Sequence, residues 1–211
     1  MVALTSWYDD VLPHVPGCLE TVALHAIRLS CIEFCERTWV INDDHAAIDI
    51  VADQASYNYV PPAGKLVHKR LEVWYADNAI IDRAPDQLKL IYGANWQTQE
   101  GLPLYHTATS PRAIRLVPIP TEALTGGLTL RVAYKPTQAA TTVDDILLED
   151  YREPIANGAR MRLMLQAKKP YTNQKQAGIE KEFFDAAVAM VKHQVQRGFG
   201  RSRAKTTAHF F

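Results

Sequence analysis

Five carboxylates lie close together ahead of a proline, and they are the first residues whose types and spacing suggest chemistry. Such groups hold metal ions, act as acid/base pairs or decorate a helix start; here they are Asp144, Asp145, Glu149, Asp150 and Glu153, ahead of Pro154. Asp145, Glu149 and Glu153 recur every four residues and would share a helix face. No histidine lies near them in sequence, and the positive end of a helix favours acids by about 0.3–1 kcal/mol each. We interpret them as structural and predict no catalytic residue among them.

A second group has the residue types of a zinc site. Its members fall within the first forty residues and are His14, Cys18, His25, Cys31 and Cys35. Cys31 and Cys35 would share a helix face, but structural zinc needs four converging ligands, usually from two tight pairs. Both cysteines also fall on an apolar stripe, where cysteine commonly acts as a small hydrophobic residue. We therefore predict no metal site and, from the odd number of cysteines, no disulfide framework.

Motifs for phosphate binding and nucleophilic catalysis are absent. The sequence contains no G-x-x-x-x-G-K and no G-x-S-x-G. Gly126 and Gly127 lie between strand-like patterns, which favours a hairpin turn over a phosphate loop. A triad assembled from distant residues leaves no such motif, so that class stays open at this level. We predict a protein that is not an enzyme and has no cofactor.

The last twenty residues are basic and end in two aromatic residues. From position 192 to 211 there are five Lys or Arg and no acid. Arg197, Arg201, Arg203 and Lys205 lie among small polar residues ahead of Phe210 and Phe211. Three interpretations stay open: a nucleic-acid-binding tail, a solvated terminus, or a segment that orders against a partner protein.

Length and composition set the frame for these groups. The chain has 211 residues, 47% of them hydrophobic, and a formal net charge of zero. These values predict one compact domain, or one domain with a large insertion. No stretch approaches the roughly 18 apolar residues of a membrane span, and the first residues do not resemble a signal peptide. We expect a protein without membrane contact, made and kept in a cytoplasm-like compartment.

The chain begins helical and then changes period. Apolar residues at three- and four-residue steps, including Ile27, Cys31 and Phe34, predict a helix over residues 18–39. From residue 45 to 136 the period is two, clearest at residues 128–135 and 71–75, with weaker strands at 45–52 and 87–92. A further strand at 114–119 carries Pro118, which favours an edge position. The middle is therefore an antiparallel module, either a small sandwich or a partly open barrel.

Two helices are predicted after residue 136. Thr142 with Asp145 matches a capping box, and Pro154 either starts a new helix or kinks a continuing one. Gly158-Ala159 offers a small-residue spot for close packing. The last helix should begin at the cap Asn173 and end at Arg197 and Gly198. Its apolar residues are Ile179, Phe183, Ala186 and Met190, with Phe184, Val188, Val191 and Val195 beside them.

The predicted fold class is α+β. A helical bundle, formed by the N-terminal helix and the two C-terminal helices, carries an inserted antiparallel sandwich-like or barrel-like β module and an extended basic tail. The corresponding bounds are 1–44 with 137–198 for the discontinuous helical domain, 45–136 for the β module and 199–211 for the tail.

Several of these segments resemble one group of viral proteins. Gly-Ala-Arg-Met-Arg-Leu at 158–163, the turn Lys-Pro-Tyr at 169–171 and the long helix with Phe183 near its start are similar to the head-to-tail adaptor (connector, or neck) proteins of tailed bacteriophages. Leu-Pro-His-Val-Pro-Gly at 12–17 and the helix over 27–39 also resemble this group. The likeness spans about residues 144–203, extends to the first forty residues, and is architectural in the strand-rich middle.

The resemblance implies a structural virion protein without catalysis, located in the neck and made in the host cytoplasm. Copies would form a ring, expected to be twelve-fold, beneath the portal protein, and the far side of the ring would receive the tail or nozzle protein. DNA would pass through the lumen. The C-terminal segment would grip the portal, which makes the candidate portal-binding residues Arg197, Phe199, Arg201, Arg203, Lys205, Phe210 and Phe211.

Two rivals from other classes stand beside this interpretation. One is a nucleic-acid-binding module that uses the basic tail, which salt-dependent DNA affinity of the isolated chain would favour. The other is a lytic enzyme carried in the virion, which needs an acidic pair across a cleft. Assembly only on a portal ring would favour the adaptor.

Overall fold

The computed structural model describes residues 1–110 and 112–198. Its α-helices are α1 (Tyr8–Val11), α2 (Glu20–Thr38), α3 (Pro85–Tyr92), α4 (Ile146–Glu149), α5 (Arg152–Met164) and α6 (Gln174–Gln196). Its strands are β1 (Val2–Ala3), β2 (Asn42–Ile50), β3 (Ser56–Asn58), β4 (Lys65–Tyr75), β5 (Asn78–Ala79), β6 (Ile81–Asp82), β7 (Tyr105–Ser110), β8 (Ala113–Val117), β9 (Leu124–Pro136) and β10 (Thr142–Val143). Helices are combined with several antiparallel sheets, so the predicted mixed α+β class is confirmed.

The chain divides into two compact units. Residues 1–41 and 135–198 form a mainly helical unit, and Asn42–Tyr134 forms a strand-rich unit. In the helical unit, α5 contacts both α6 and α2, and α2 also contacts α6. Within the described residues, no helix is both long enough and apolar enough to cross a membrane.

The core of the helical unit is built from the residues that recur along α2. Ile27, Cys31 and Phe34 are fully buried, so the predicted apolar face of this helix is confirmed. Phe34 meets Tyr151 at 5.2 Å and Phe184 at 6.1 Å between ring centroids. Burial of this aromatic cluster holds α2, α5 and α6 together, at about 1.5–3 kcal/mol for each large side chain.

Helix α5 packs tightly against its neighbours at Gly158. A Cβ at this position would clash with Ser30 Oγ and lie 2.9 Å from the Phe184 ring. The Ser30 hydroxyl donates a hydrogen bond of 2.7 Å to the Ile155 carbonyl. The predicted small-residue packing spot is therefore confirmed, with α2 on one side and α6 on the other.

The start of the second helical segment differs from the predicted capping box. Thr142 lies in β10, paired with Ala3 of β1, and is not a helix cap. The capping prediction is wrong because a short strand pair with the N-terminal segment takes this part of the chain. Of the two alternatives for Pro154, the structure has the new helix and not the kink: α4 ends at Glu149, and Pro154 falls in the first turn of α5. Backbone N–H groups in the first turn have no intrahelical acceptor, so proline, which has no N–H, loses no helix hydrogen bond there.

The strand-rich unit contains two four-stranded sheets. Their strand orders are β2-β9-β4-β5 and β3-β8-β7-β6. The wholly antiparallel prediction is wrong at one pair, since β6 and β7 run parallel. The predicted strand at 87–92 is also wrong: Pro85 starts α3, and Leu88 of that helix packs with Trp96 and Val117 in a small apolar cluster. A sequence pattern this short does not distinguish a helix from a strand. The apolar contacts of Leu88 with Trp96 and Val117 select the helix.

Two further predictions in this unit are wrong. Gly126 and Gly127 lie inside β9, not in a hairpin turn. The register against β2 shifts between Ile48 and Ile50, and Gly126 takes φ 64° and donates its N–H to Asp49 at 2.7 Å, so the glycine pair serves an irregularity in the ladder. Pro118 does not mark an edge, because β8 lies between β3 and β7 and ends at Val117.

Candidate functional site

The carboxylates ahead of Pro154 do not converge on one another. Asp145 lies 2.6 Å from the Met1 ammonium, and its side chain caps no helix N–H. Glu153 instead accepts a hydrogen bond of 2.8 Å from Arg160, in the second half of α5. These groups are drawn to separate cations, as expected for ion pairs that tie segments of the helical unit together.

The cation that Glu153 meets belongs to a buried polar network. Arg160 Nε donates to Glu180 Oε2 at 3.0 Å, and both side chains are only 7% exposed. Its other N–H groups reach the Asp10 carbonyl at 3.0 Å and the side-chain oxygen of Asn157. The charge is paired and its donors have acceptors, so removing one partner would leave an uncompensated buried charge. The network joins α1, α5 and α6.

The cysteines and histidines of the possible zinc site are dispersed. Cys31 and Cys35 are fully buried in the helical core, and burial raises the pKa of the Cys31 thiol far above its ordinary value. Cys18 is partly buried against the same core, with its thiol 3.5 Å from the Leu19 carbonyl. Over residues 1–110 and 112–198, the structure contains no group of three or more His, Cys, Asp or Glu suited to a metal ion.

The strand-rich unit contains an open cavity of about 450 Å³. Arg70 and Asp82 line it, and His106 lies beside Asp82, with 3.6 Å between its Nδ1 and the carboxylate. Burial lowers the pKa of His106 to about 4, against the Asp82 charge that raises it and with the Arg70 charge that lowers it further. At neutral pH the imidazole is therefore uncharged, which suits a core position more than a proton carrier.

The candidate portal-binding residues begin where α6 ends. Arg197 is exposed, and its N–H reaches the His193 carbonyl at 3.3 Å and the Gln194 carbonyl at 3.1 Å. Gly198 follows at φ 61°, so the predicted helix ending is confirmed. The other members of the predicted set lie outside the described residues; they are Phe199, Arg201, Arg203, Lys205, Phe210 and Phe211. Their grip on a portal stays a prediction.

Helix α6 carries both apolar lines named from the sequence, and the structure buries one of them. Phe184, Val188 and Val191 are buried in the helical core. The other line is exposed: Ile179 at 46%, Phe183 at 60% and Met190 at 59%, with Ala186 between them. We call Ile179, Phe183, Ala186 and Met190 the outer stripe.

The choice between the two faces is made by tertiary contacts. Phe184 packs over Gly158, where no side chain is in the way, and against Phe34. Glu180, on the same side of α6, pairs with Arg160. The sequence signals for the buried face are Gly158 in α5 and the opposite charges of Arg160 in α5 and Glu180 in α6. An exposed, regularly spaced apolar stripe beside a completed core is typical of a protein interaction surface.

Comparison with known proteins adds a finding over nearly the whole chain. A family model described as "SU10 adaptor protein" matches residues 3–206. A search among curated proteins gave no significant match.

Proposed function

The chain belongs to the SU10 adaptor protein family, and from this membership we propose that it is the head-to-tail adaptor of a tailed phage. The family is one of structural phage proteins and is not a known enzyme family. The match over residues 3–206 carries the proposal, because it covers both units and most of the basic tail. The protein is then a component of the virion.

In the proposed assembly, copies form a ring, expected to be twelve-fold, between the portal protein and the tail or nozzle protein. The ring occupies the neck, is assembled from chains made in the host cytoplasm, and encloses a lumen through which DNA passes. A ring that bears load at this junction needs rigid subunits. The buried Arg160–Glu180 pair and the close helix packing at Gly158 support such rigidity in the helical unit.

The proposed grip on the portal is the segment from Arg197 to the C-terminus. The completed helix ending at Arg197 and Gly198 supports this role, since the core of the helical unit is formed by residues that precede this ending. Arginines and Lys205 would meet acidic or backbone acceptors, and Phe210 and Phe211 would act as apolar anchors. Anchors of this kind contribute about 2 kcal/mol or more each at an interface. Repeated around a ring, they give a large avidity.

A shortened chain that ends at Arg197 tests the grip. It should fold and melt like the full chain, yet fail to join purified portal rings in a co-sedimentation assay. The matched control is Lys168→Ala with Lys169→Ala, which removes two exposed positive charges from the helical unit and should leave joining intact. Normal joining by the shortened chain would show that the grip lies elsewhere.

The same chains separate the adaptor from a nucleic-acid-binding module. The five basic residues between positions 192 and 211 are the feature that favours this rival. DNA affinity of the full chain should then fall steeply with salt. If the shortened chain lost DNA binding but still joined the portal, the tail would serve nucleic acid, and the rival would replace the proposed grip.

A further inference from the structure

The outer stripe of α6 is regular enough to be a surface of its own. Ile179, Phe183, Ala186 and Met190 succeed each other at steps of four, three and four residues, which places them in one line along the helix. The line from Ile179 to Met190 is about 16 Å long at 1.5 Å per residue. A solvated outer face would carry polar residues at these positions.

The other sides of α6 already have partners within the chain. Asp185 lies 2.6 Å from Arg37 and 2.6 Å from Lys181, and Lys192 lies 5.1 Å from the centre of the Trp39 ring. The core side is filled by Phe184 and its neighbours. The outer stripe therefore does not complete the fold of the helical unit, and its apolar side chains need another explanation.

The size of the stripe fits the centre of a protein interface. With roughly 150–200 Å² for each fully exposed side chain of this kind, the exposed fractions of Ile179, Phe183 and Met190 correspond to about 300 Å². That is within the roughly 300–600 Å² of the largest apolar patch on a typical monomer, often a functional one. It is also over a third of the roughly 800 Å² that one partner contributes to a standard interface.

The absence of charge along the outer stripe favours a permanent protein contact over a transient one that is steered by charge. Its line holds no charge, and the flanking exposed residues Lys175 and Glu182 have opposite signs. Permanent contacts between copies are more apolar than transient ones. A basic tail complements an acidic partner, whereas the uncharged outer stripe complements another uncharged apolar surface.

The helical unit also exposes other apolar side chains, which the outer stripe of a neighbouring copy would contact. Leu19, ahead of α2, and Leu165, at the end of α5, are both more than half exposed. Ring closure through a heterologous contact requires each copy to present two different surfaces, one to each neighbour. Leu19 and Leu165 are apolar residues outside the outer stripe that a neighbouring copy would be able to contact.

We propose that the outer stripe is the surface on which one copy of this chain packs against the next copy. This inference rests on the ring of the proposed function and names the face that closes it. Phe183 is the central anchor, because it is the aromatic member in the middle of the line. Copies joined along α6 would present the segments after Arg197 on a common side.

Substitution of the central anchor tests the contact. Phe183→Glu should leave the melting temperature within about 2 °C of the wild type, because the side chain is exposed. Self-association, measured by sedimentation velocity and native mass spectrometry with and without portal rings, should weaken at least tenfold. The matched control is Leu90→Glu on α3, where an 87% exposed leucine of the other unit is changed; it should associate like the wild type.

A photo-crosslinker at position 183 identifies the occupant directly. Benzoylphenylalanine in place of Phe183 is incorporated into a mixture of isotopically heavy and light full chains, and the products are mapped by mass spectrometry. Heavy–light products between copies support the proposal. Products within one chain only, including any with the segment after residue 198, overturn it, as do products with the portal or tail protein alone.

The outcomes keep this inference apart from the proposed function. If chains join the portal but Phe183→Glu leaves the number of copies per ring unchanged, the stripe is not the contact, and the adaptor role stands. If copies crosslink through position 183 but never join a portal ring, the self-contact stands, and the adaptor role fails.

Discussion

Replacing Gly158 by alanine should destabilise the helical unit, although alanine is the better helix former. An added Cβ would clash with Ser30 Oγ and lie 2.9 Å from the Phe184 ring, which is 1% exposed. Overpacking of this kind costs about 1–3 kcal/mol. If Ser30 turns away instead, its hydroxyl loses the 2.7 Å bond to the Ile155 carbonyl, at about 1–3 kcal/mol for a buried polar group.

Helix propensity opposes these terms. Alanine is favoured over glycine in a helix interior by about 1 kcal/mol, so either cost, about 1–3 kcal/mol, leaves a net loss of up to about 2 kcal/mol. Gly178 in α6 is the matched control, because a Cβ there meets nothing within 4 Å. Gly178→Ala should raise the free energy of unfolding by about 0.5–1 kcal/mol.

Urea unfolding monitored by far-UV circular dichroism measures both variants in the full chain. The packing argument predicts opposite signs for the two glycines. It also predicts that Ser30→Ala combined with Gly158→Ala loses less than the two single changes together, because the clash and the hydroxyl are coupled. Equal stabilisation by alanine at both positions would refute the close-packing account of Gly158.

Two further perturbations concern buried charge. Arg160→Met leaves Glu180 without its buried partner and should lower the free energy of unfolding by about 3–5 kcal/mol. Arg160→Met combined with Glu180→Leu should recover most of this loss. If urea unfolding showed no recovery in the double variant, the pairing would be contradicted. His106 has a folded pKa of about 4, below its ordinary 6.5, so the unfolded chain is protonated first as pH falls. Stability is complete above about pH 6.5 and declines toward pH 4, by about 2 kcal/mol at pH 5; a His106→Gln chain with an unchanged pH dependence would contradict this.

The local chemistry at helix ends made α6 predictable. Asn173 Oδ1 accepts from the Gln176 N–H at 3.1 Å, and Gly198 ends the helix in the left-handed region. Both signals act within a few residues and need no tertiary contact. The start and end of this helix could therefore be deduced from the sequence.

The face that α6 buries was not predictable in the same way. The helix carries two apolar lines, one through Phe183 and one through Phe184, and the sequence pattern gives the first equal or greater weight. Gly158 and Arg160 of α5, together with Phe34 of α2, select the side of α6 that carries Phe184 and Glu180. The sequence pattern alone consequently does not separate the exposed line from the buried one.

Competition between partners explains the misjudged turn and cap. Thr142 and Asp145 have the composition of a capping box, but pairing with Ala3 draws Thr142 into a strand. Gly126 and Gly127 have the composition of a hairpin, but Asp49 holds Gly126 inside a longer strand. In each case the deciding residue lies far away in sequence, where local pattern carries no information.

A cryo-EM map of the phage neck, at a resolution that shows side chains, tests the adaptor assignment most directly. The account predicts a closed ring of this chain between the portal and the tail, with the segment after Arg197 against the portal and α6 at the contact between copies. Particles whose portal meets the tail without density for this chain, or whose copies of it lie elsewhere in the virion, would contradict the adaptor assignment.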